Sequence, residues 1–208
     1  MGVKSGNKAA RRILTLDQDA LQSDMERLLG LVKDAGERPD LLVGVATGGE
    51  LCGRLISEHF PAGLISVVMR RPSTSYKKTT LIKIVLSSLP YAITNLFRGV
   101  EDALLERYTK KVPISVPTDE LRRDIAVVAA AVERQGLQSV LVVDDAIDSG
   151  ATLACIVAEL KAALPSNVRI ITAVLTQTRP TPAISADFRL YDCVMLRFPW
   201  SLDFRGRE

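Results

Sequence analysis

The residues of this chain best able to do chemistry together lie in one run, VLVVDDAIDSGAT, at positions 140–152. Val140 to Val143 read as a buried strand, so Asp144 and Asp145 are expected at its carboxyl end. Asp148, Ser149, Gly150, Ala151 and Thr152 then read as a tight turn opening a helix. A turn of glycine and small side chains lets backbone N–H groups close on an anion at the positive end of a helix, and the Ser149 and Thr152 hydroxyls can add hydrogen bonds. Two adjacent carboxylates beside that turn can accept from vicinal sugar hydroxyls. A phosphorylated ribose satisfies both halves. The plainer alternative is an acidic strand end in which Asp148 only caps the helix.

The elements that must position this run alternate along the chain. A short apolar stretch at 13–16 precedes a helix capped by Asp17 or Asp19, with Leu21, Met25, Leu28, Leu29 and Val32 at helical spacing and Gly36 at its end. The continuous apolar run 41–46 (LLVGVA) is of the kind buried in a parallel sheet, and Thr47-Gly48-Gly49 leads from it into a helix expected over 50–59. Further strands are expected at 64–69, 139–143, 168–175 and 192–196, with a helix at 151–164. Thr118 is a candidate N-cap for a helix reaching about Gln135. This order predicts a doubly wound α/β fold, with a mostly parallel five-stranded sheet and ligands gathering at the carboxyl ends of the strands. The nearly fifty residues at 70–117 exceed what one crossover needs. They predict a helical insertion at 77–117 within a single domain. Its many large apolar residues, Leu104 and Leu105 among them, predict packing against a second copy of the chain, with packing over its own active site as the rival.

Charge and composition narrow the classes. Net charge is +3, yet nine of the 27 basic residues sit in two acid-free stretches, 1–12 and 70–83. The rest of the chain therefore carries 18 positive against 24 negative charges, a remainder of −6. A basic cluster in a loop suits a phosphorylated ligand; nucleic acid is not otherwise indicated. Cys52, Cys155 and Cys193 form no CxxC pair and His59 is the single histidine, which excludes a disulfide scaffold and structural zinc. Residues 81–97, interrupted by Lys83, Pro90 and Asn95, are too short and polar for a membrane span. Residues 1–12 lack the apolar core of a secretory leader, so a cytoplasmic location is expected.

The order apolar strand, DD, two-residue spacer, D-S-G-x-T and helix closely resembles the ribose-phosphate signature of type I phosphoribosyltransferases, with serine where that signature usually has threonine. Two further segments match the same family by position. GVATGGEL at 44–51 falls where the family has its pyrophosphate loop, implying Ala46, Thr47, Gly48 and Gly49 as ligand-binding positions, and Ser75-Tyr76, followed by Lys77, falls where purine members have a loop that closes over the site. The segments near the two ends resemble the bacterial xanthine-guanine branch, whose hood ends in a proline-tryptophan pair, here Pro199-Trp200, implying a C-terminal hood over 176–208.

The resemblance implies a transferase that moves the phosphoribosyl group of 5-phosphoribosyl-1-pyrophosphate (PRPP) to a purine-like nucleobase in purine salvage, with Mg2+ as cofactor. Asp144 and Asp145 would hold the ribose hydroxyls and the metal, Asp148 would be the general base, and Ser149, Gly150, Ala151 and Thr152 would bind the 5-phosphate. Three positions depart from the branch: Met195 stands for a stacking aromatic, Thr176 for the lysine that reads the purine 6-oxo group, and Thr47 for an arginine. A PRPP-sensing regulator on the same fold, or a transferase for an unusual acceptor, is the alternative. Phe198 and Trp200 are expected to pack the hood, and Arg179 either to replace the missing lysine or to pair with Asp187.

Overall fold

The computed structural model describes residues 12–69 and 116–206. Ser75, Tyr76, Lys77 and nearly all of the expected insertion fall outside them. Element labels below count the described elements only.

Strand β1 (Ile13–Thr15) leads into helix α1 (Gln18–Asp34), and Asp17 rather than Asp19 is its N-cap, accepting from the Ala20 N–H at 2.8 Å. Next come β2 (Leu41–Ala46), α2 (Gly48–Arg54), a short 3-10 turn (Ser57–His59) and β3 (Leu64–Val68). The helix expected at 50–59 thus starts two residues earlier and stops at Arg54. Helix α3 (Asp119–Gln135) is capped by Thr118, whose hydroxyl accepts from the Leu121 N–H, and it closes on Gly136 in the left-handed conformation. Then follow β4 (Ser139–Ile147), α4 (Ala151–Ala163), β5 (Arg169–Gln177), β6 (Phe188–Asp192) and β7 (Met195–Arg197).

Five strands form one sheet in the order β3-β2-β4-β5-β6, and every pairing in it is parallel. Alternation along these buried strands divides the core in two. Leu41, Val43, Val140 and Val142 pack with Leu121, Ile125 and Val128 of α3 and Ile156 and Leu160 of α4. Leu42, Leu141, Val143, Ile171 and Ala173 pack with Leu21, Met25 and Leu28 of α1 on the other face.

The strand expected at 192–196 is a break between two strands. Cys193 has φ +56°, a left-handed residue that turns the chain out of β6, and β7 then pairs in parallel with β1 in a separate two-stranded sheet. Arg197 anchors this hood. It is 1% exposed, with Nε donating to Asp203 Oδ2 at 2.9 Å and Nη1 to Thr15 Oγ1 at 2.9 Å.

Candidate active site

Because β2, β4 and β5 run parallel, their carboxyl ends share one edge of the sheet, and the residues with chemical potential gather there. Strand β4 runs on to Ile147, so Asp144 and Asp145 lie inside the strand instead of at its end. Strand alternation turns them to opposite sides, which a ligand reaching both must bridge. Asp144 Oδ1 accepts from the Asp145 backbone N–H at 2.9 Å.

Asp145 faces α2 and the hood. A Cβ built on Gly48 would overlap its carboxylate, so a bare backbone at 48 leaves the group its place. From the other side the Trp200 indole Nε1 donates to Asp145 Oδ2 at 3.3 Å. Burial pushes the Asp145 carboxyl above the usual carboxylate range, against the pull of its contacts with Asp144 and Trp200. Gly49 is equally constrained: a Cβ there would meet the Val143 carbonyl and come within 2.8 Å of Asp144 Cα. With Gly44, where a Cβ would lie 2.8 Å from Glu50 Cα, these glycines let α2 lie directly on β2 and β4. The loop between β2 and α2 contains a cis peptide, Ala46–Thr47, and Thr47 makes no side-chain cap.

The turn after β4 differs from a simple acidic cap. The N-cap of α4 is Gly150 at φ +76°, which has no side chain to cap the helix; the Ser149 Oγ accepts from the Ala151 N–H at 3.4 Å. A Cβ on Gly150 would come within 2.8 and 2.9 Å of the Ile184 carbonyl oxygen and N, so the turn is packed against the backbone of the segment after β5. The Ala183 N–H donating to the Ser149 carbonyl at 2.7 Å holds it there. Ser149 and Thr152 flank the amides at this helix end, and no acid occupies its first turn.

Asp148 bonds away from the helix. Its Oδ1 accepts from Thr178 Oγ1 at 2.8 Å and pairs with Arg179 Nε at 2.6 Å, the arginine side chain being only 12% exposed. This corrects the expected pairing of Arg179 with Asp187, which instead accepts from the Thr172 N–H and hydroxyl. The Asp148–Arg179 pair has no signature in sequence, because it depends on how β4 and β5 end side by side.

Thr176 is fully buried, and its hydroxyl donates to the Val194 carbonyl at 2.6 Å. Met195 begins β7. Phe198 and Trp200 stack with ring centres 4.9 Å apart and 3° between planes, which agrees with hood packing, but Trp200 also reaches Asp145.

Among the described residues no cluster of three potential metal-binding side chains occurs. Mg2+ does not need one, because it is commonly held by one or two carboxylates together with substrate phosphates and water. The neighbouring carboxylates Asp144 and Asp145 on β4 are hard oxygen donors of the kind that set needs.

Residues 16–203 match the family model for the phosphoribosyl transferase domain, and the chain belongs to that family. It is a phosphoribosyltransferase, a pentosyltransferase by reaction class. Among solved structures, the Helicobacter pylori xanthine-guanine-hypoxanthine phosphoribosyltransferase is similar with a TM-score of 0.56 at 16% identity, covering 92% of this chain and 95% of that one. A purine phosphoribosyltransferase from Pyrococcus horikoshii OT3 gives 0.53 at 17%, covering 94% and 98%. A hypothetical protein from Neisseria gonorrhoeae, solved with bound ppGpp, gives 0.51 at 14%, covering 91% and 89%. At such identities the likeness is one of fold. No curated protein sequence is significantly similar to this one. Among the described residues no helix is long and apolar enough to cross a membrane.

Proposed function

We propose that this protein transfers the 5-phosphoribosyl group of PRPP to a ring nitrogen of a purine-like nucleobase and releases pyrophosphate. The observation that carries the reading is the N-terminus of α4. It is opened by Gly150, lies between Ser149 and Thr152, and is separated by three residues from a strand that carries Asp144 and Asp145. The amides and hydroxyls of this turn suit a 5-phosphate, and the acids suit ribose hydroxyls.

In this reading the carbon–oxygen bond to pyrophosphate breaks as the carbon–nitrogen bond to the base forms, and the proton on the acceptor nitrogen passes to Asp148. Thr178 and Arg179 both engage Oδ1 of Asp148, so Oδ2 is the oxygen offered to the acceptor. Backbone groups at 46–49 and the basic residues Lys77 and Lys78 would meet the charge developing on the leaving group. Asp145, with Asp144, would hold Mg2+, which neutralises that charge when bound. Ser75 and Tyr76 would close over the donor. Thr176 and Met195 border the acceptor side in this assignment. The Thr176 hydroxyl cannot donate to a 6-oxo group without leaving the Val194 carbonyl, so such a group is read by other donors.

The three free cysteines fit a reducing, cytoplasmic setting. Residues 77–117 would form the contact of a homo-oligomer, and 176–208 the hood of the same domain.

The test is pyrophosphate release from PRPP and Mg2+ across a panel of purine and purine-like bases. Release with one of them is expected. No release with any base would refute the transferase reading, and PRPP binding without release would favour a sensor.

A further inference from the structure

We infer that Trp200 is the link through which the hood registers the donor site: its indole N–H holds the Asp145 carboxylate in the ligand-free protein and yields it when a phosphoribosyl donor binds. This rests on the reading of Asp145 as a donor-binding residue.

The geometry gives the link three parts. The carboxylate lies between Gly48, where no side chain fits, and Trp200 Nε1, 3.3 Å from Oδ2. A ribose hydroxyl approaching Oδ2 of Asp145 therefore competes with the indole N–H for that oxygen. The ring is held on its other side. It lies parallel to buried Phe198, whose backbone N–H donates to Ser201 Oγ at 3.0 Å. Behind Phe198, the Arg197–Asp203 pair and the Thr15 contact fix β7 to β1. With the hood rigid up to Phe198, a change of partner at Asp145 falls on Trp200, at the tip.

Trp200 is the single tryptophan of the chain, so its emission reads this contact directly. Titration of the whole protein with Mg2+ alone and then with PRPP should change Trp200 emission at the PRPP step, with the midpoint that calorimetry gives for PRPP binding. Trp200→Phe keeps an aromatic ring on Phe198 and removes only the donor. It should tighten PRPP binding about two- to fivefold, the scale of one modest hydrogen bond no longer competing, whereas a merely structural tryptophan would on replacement weaken binding or leave it unchanged. PRPP binding by calorimetry with unchanged emission overturns the link alone, as does Trp200→Phe that binds PRPP no tighter. Absence of any PRPP binding overturns the donor-site reading, and the link with it. Should Trp200→Phe fail to fold, the wild-type emission titration decides.

Discussion

Gly48 and Asp145 occupy one volume between them: the carboxylate sits where the Cβ of any other residue at 48 would be. Gly48→Ala is therefore expected to displace Asp145 without unfolding the chain, since a side chain can swing aside where backbone cannot. Donor affinity should fall about tenfold or more, because a charge-assisted hydrogen bond contributes roughly 1.5–3 kcal/mol. Calorimetry with PRPP, alongside a thermal melt, checks it; an alanine variant with full affinity would show that Asp145 is not used.

Gly49 should behave differently. Its obstacle is the backbone of Val143 and Asp144, which cannot move without separating α2 from β4. Gly49→Ala is expected to lower the melting temperature, and the contrast between the two neighbouring glycines can be read in one calorimetric comparison.

Asp144→Asn with Asp145→Asn should weaken PRPP binding at least tenfold while the fold persists, by the same charge-assisted scale. Equal affinity in folded protein would remove the sugar site from β4.

Some of this was legible in sequence and some was not. The continuous apolar runs at 41–46 and 140–143 identify the central strands because strands buried on both faces show no alternation. The D-S-G-x-T turn was visible because it is local. What sequence missed is non-local. Nothing in positions 144–147 tells a strand end from four more strand residues, which depends on pairing with Val174 to Gln177. The reading of 192–196 as one strand failed for a similar reason. Met195 and Leu196 belong to β7, whose partner β1 is nearly the whole chain away, and the break falls at Cys193, a residue type that gives no warning of a left-handed turn. The contacts of Arg179 with Asp148 and of Trp200 with Asp145 likewise join distant segments.

The acceptor should not be a good match for guanine or xanthine. Met195 cannot stack as an aromatic ring does, which removes about 0.5–1.5 kcal/mol beyond area burial, and the Thr176 hydroxyl is already bonded to Val194. Steady-state kinetics over a base panel should rank both below another purine-like base, and efficient guanine turnover at micromolar concentration would overturn the expectation.

Thiol labelling separates the cysteines. Cys193 is exposed. Cys52 is buried, and burial together with the neighbouring Asp145 and Asp144 carboxylates pushes its thiol well up, so little thiolate forms near neutral pH. Mass spectrometry after brief iodoacetamide treatment should find Cys193 modified and Cys52 intact until the protein is denatured.

The pairing of β1 with β7 has a consequence for the order in which the molecule is made. Ile13 sits opposite Met195, and the Arg197 guanidinium reaches Thr15 across a separation of 182 residues. During synthesis at about 5–20 residues per second, the amino-terminal strand leaves the ribosome long before its partner exists, while β2, β3 and β4 can already pair. The nascent chain thus builds the carboxyl edge of its sheet first, and the hood joins β1 only once β7 has emerged. A ribosome stalled shortly before Met195 would carry a sheet with its carboxyl edge open and β1 still waiting.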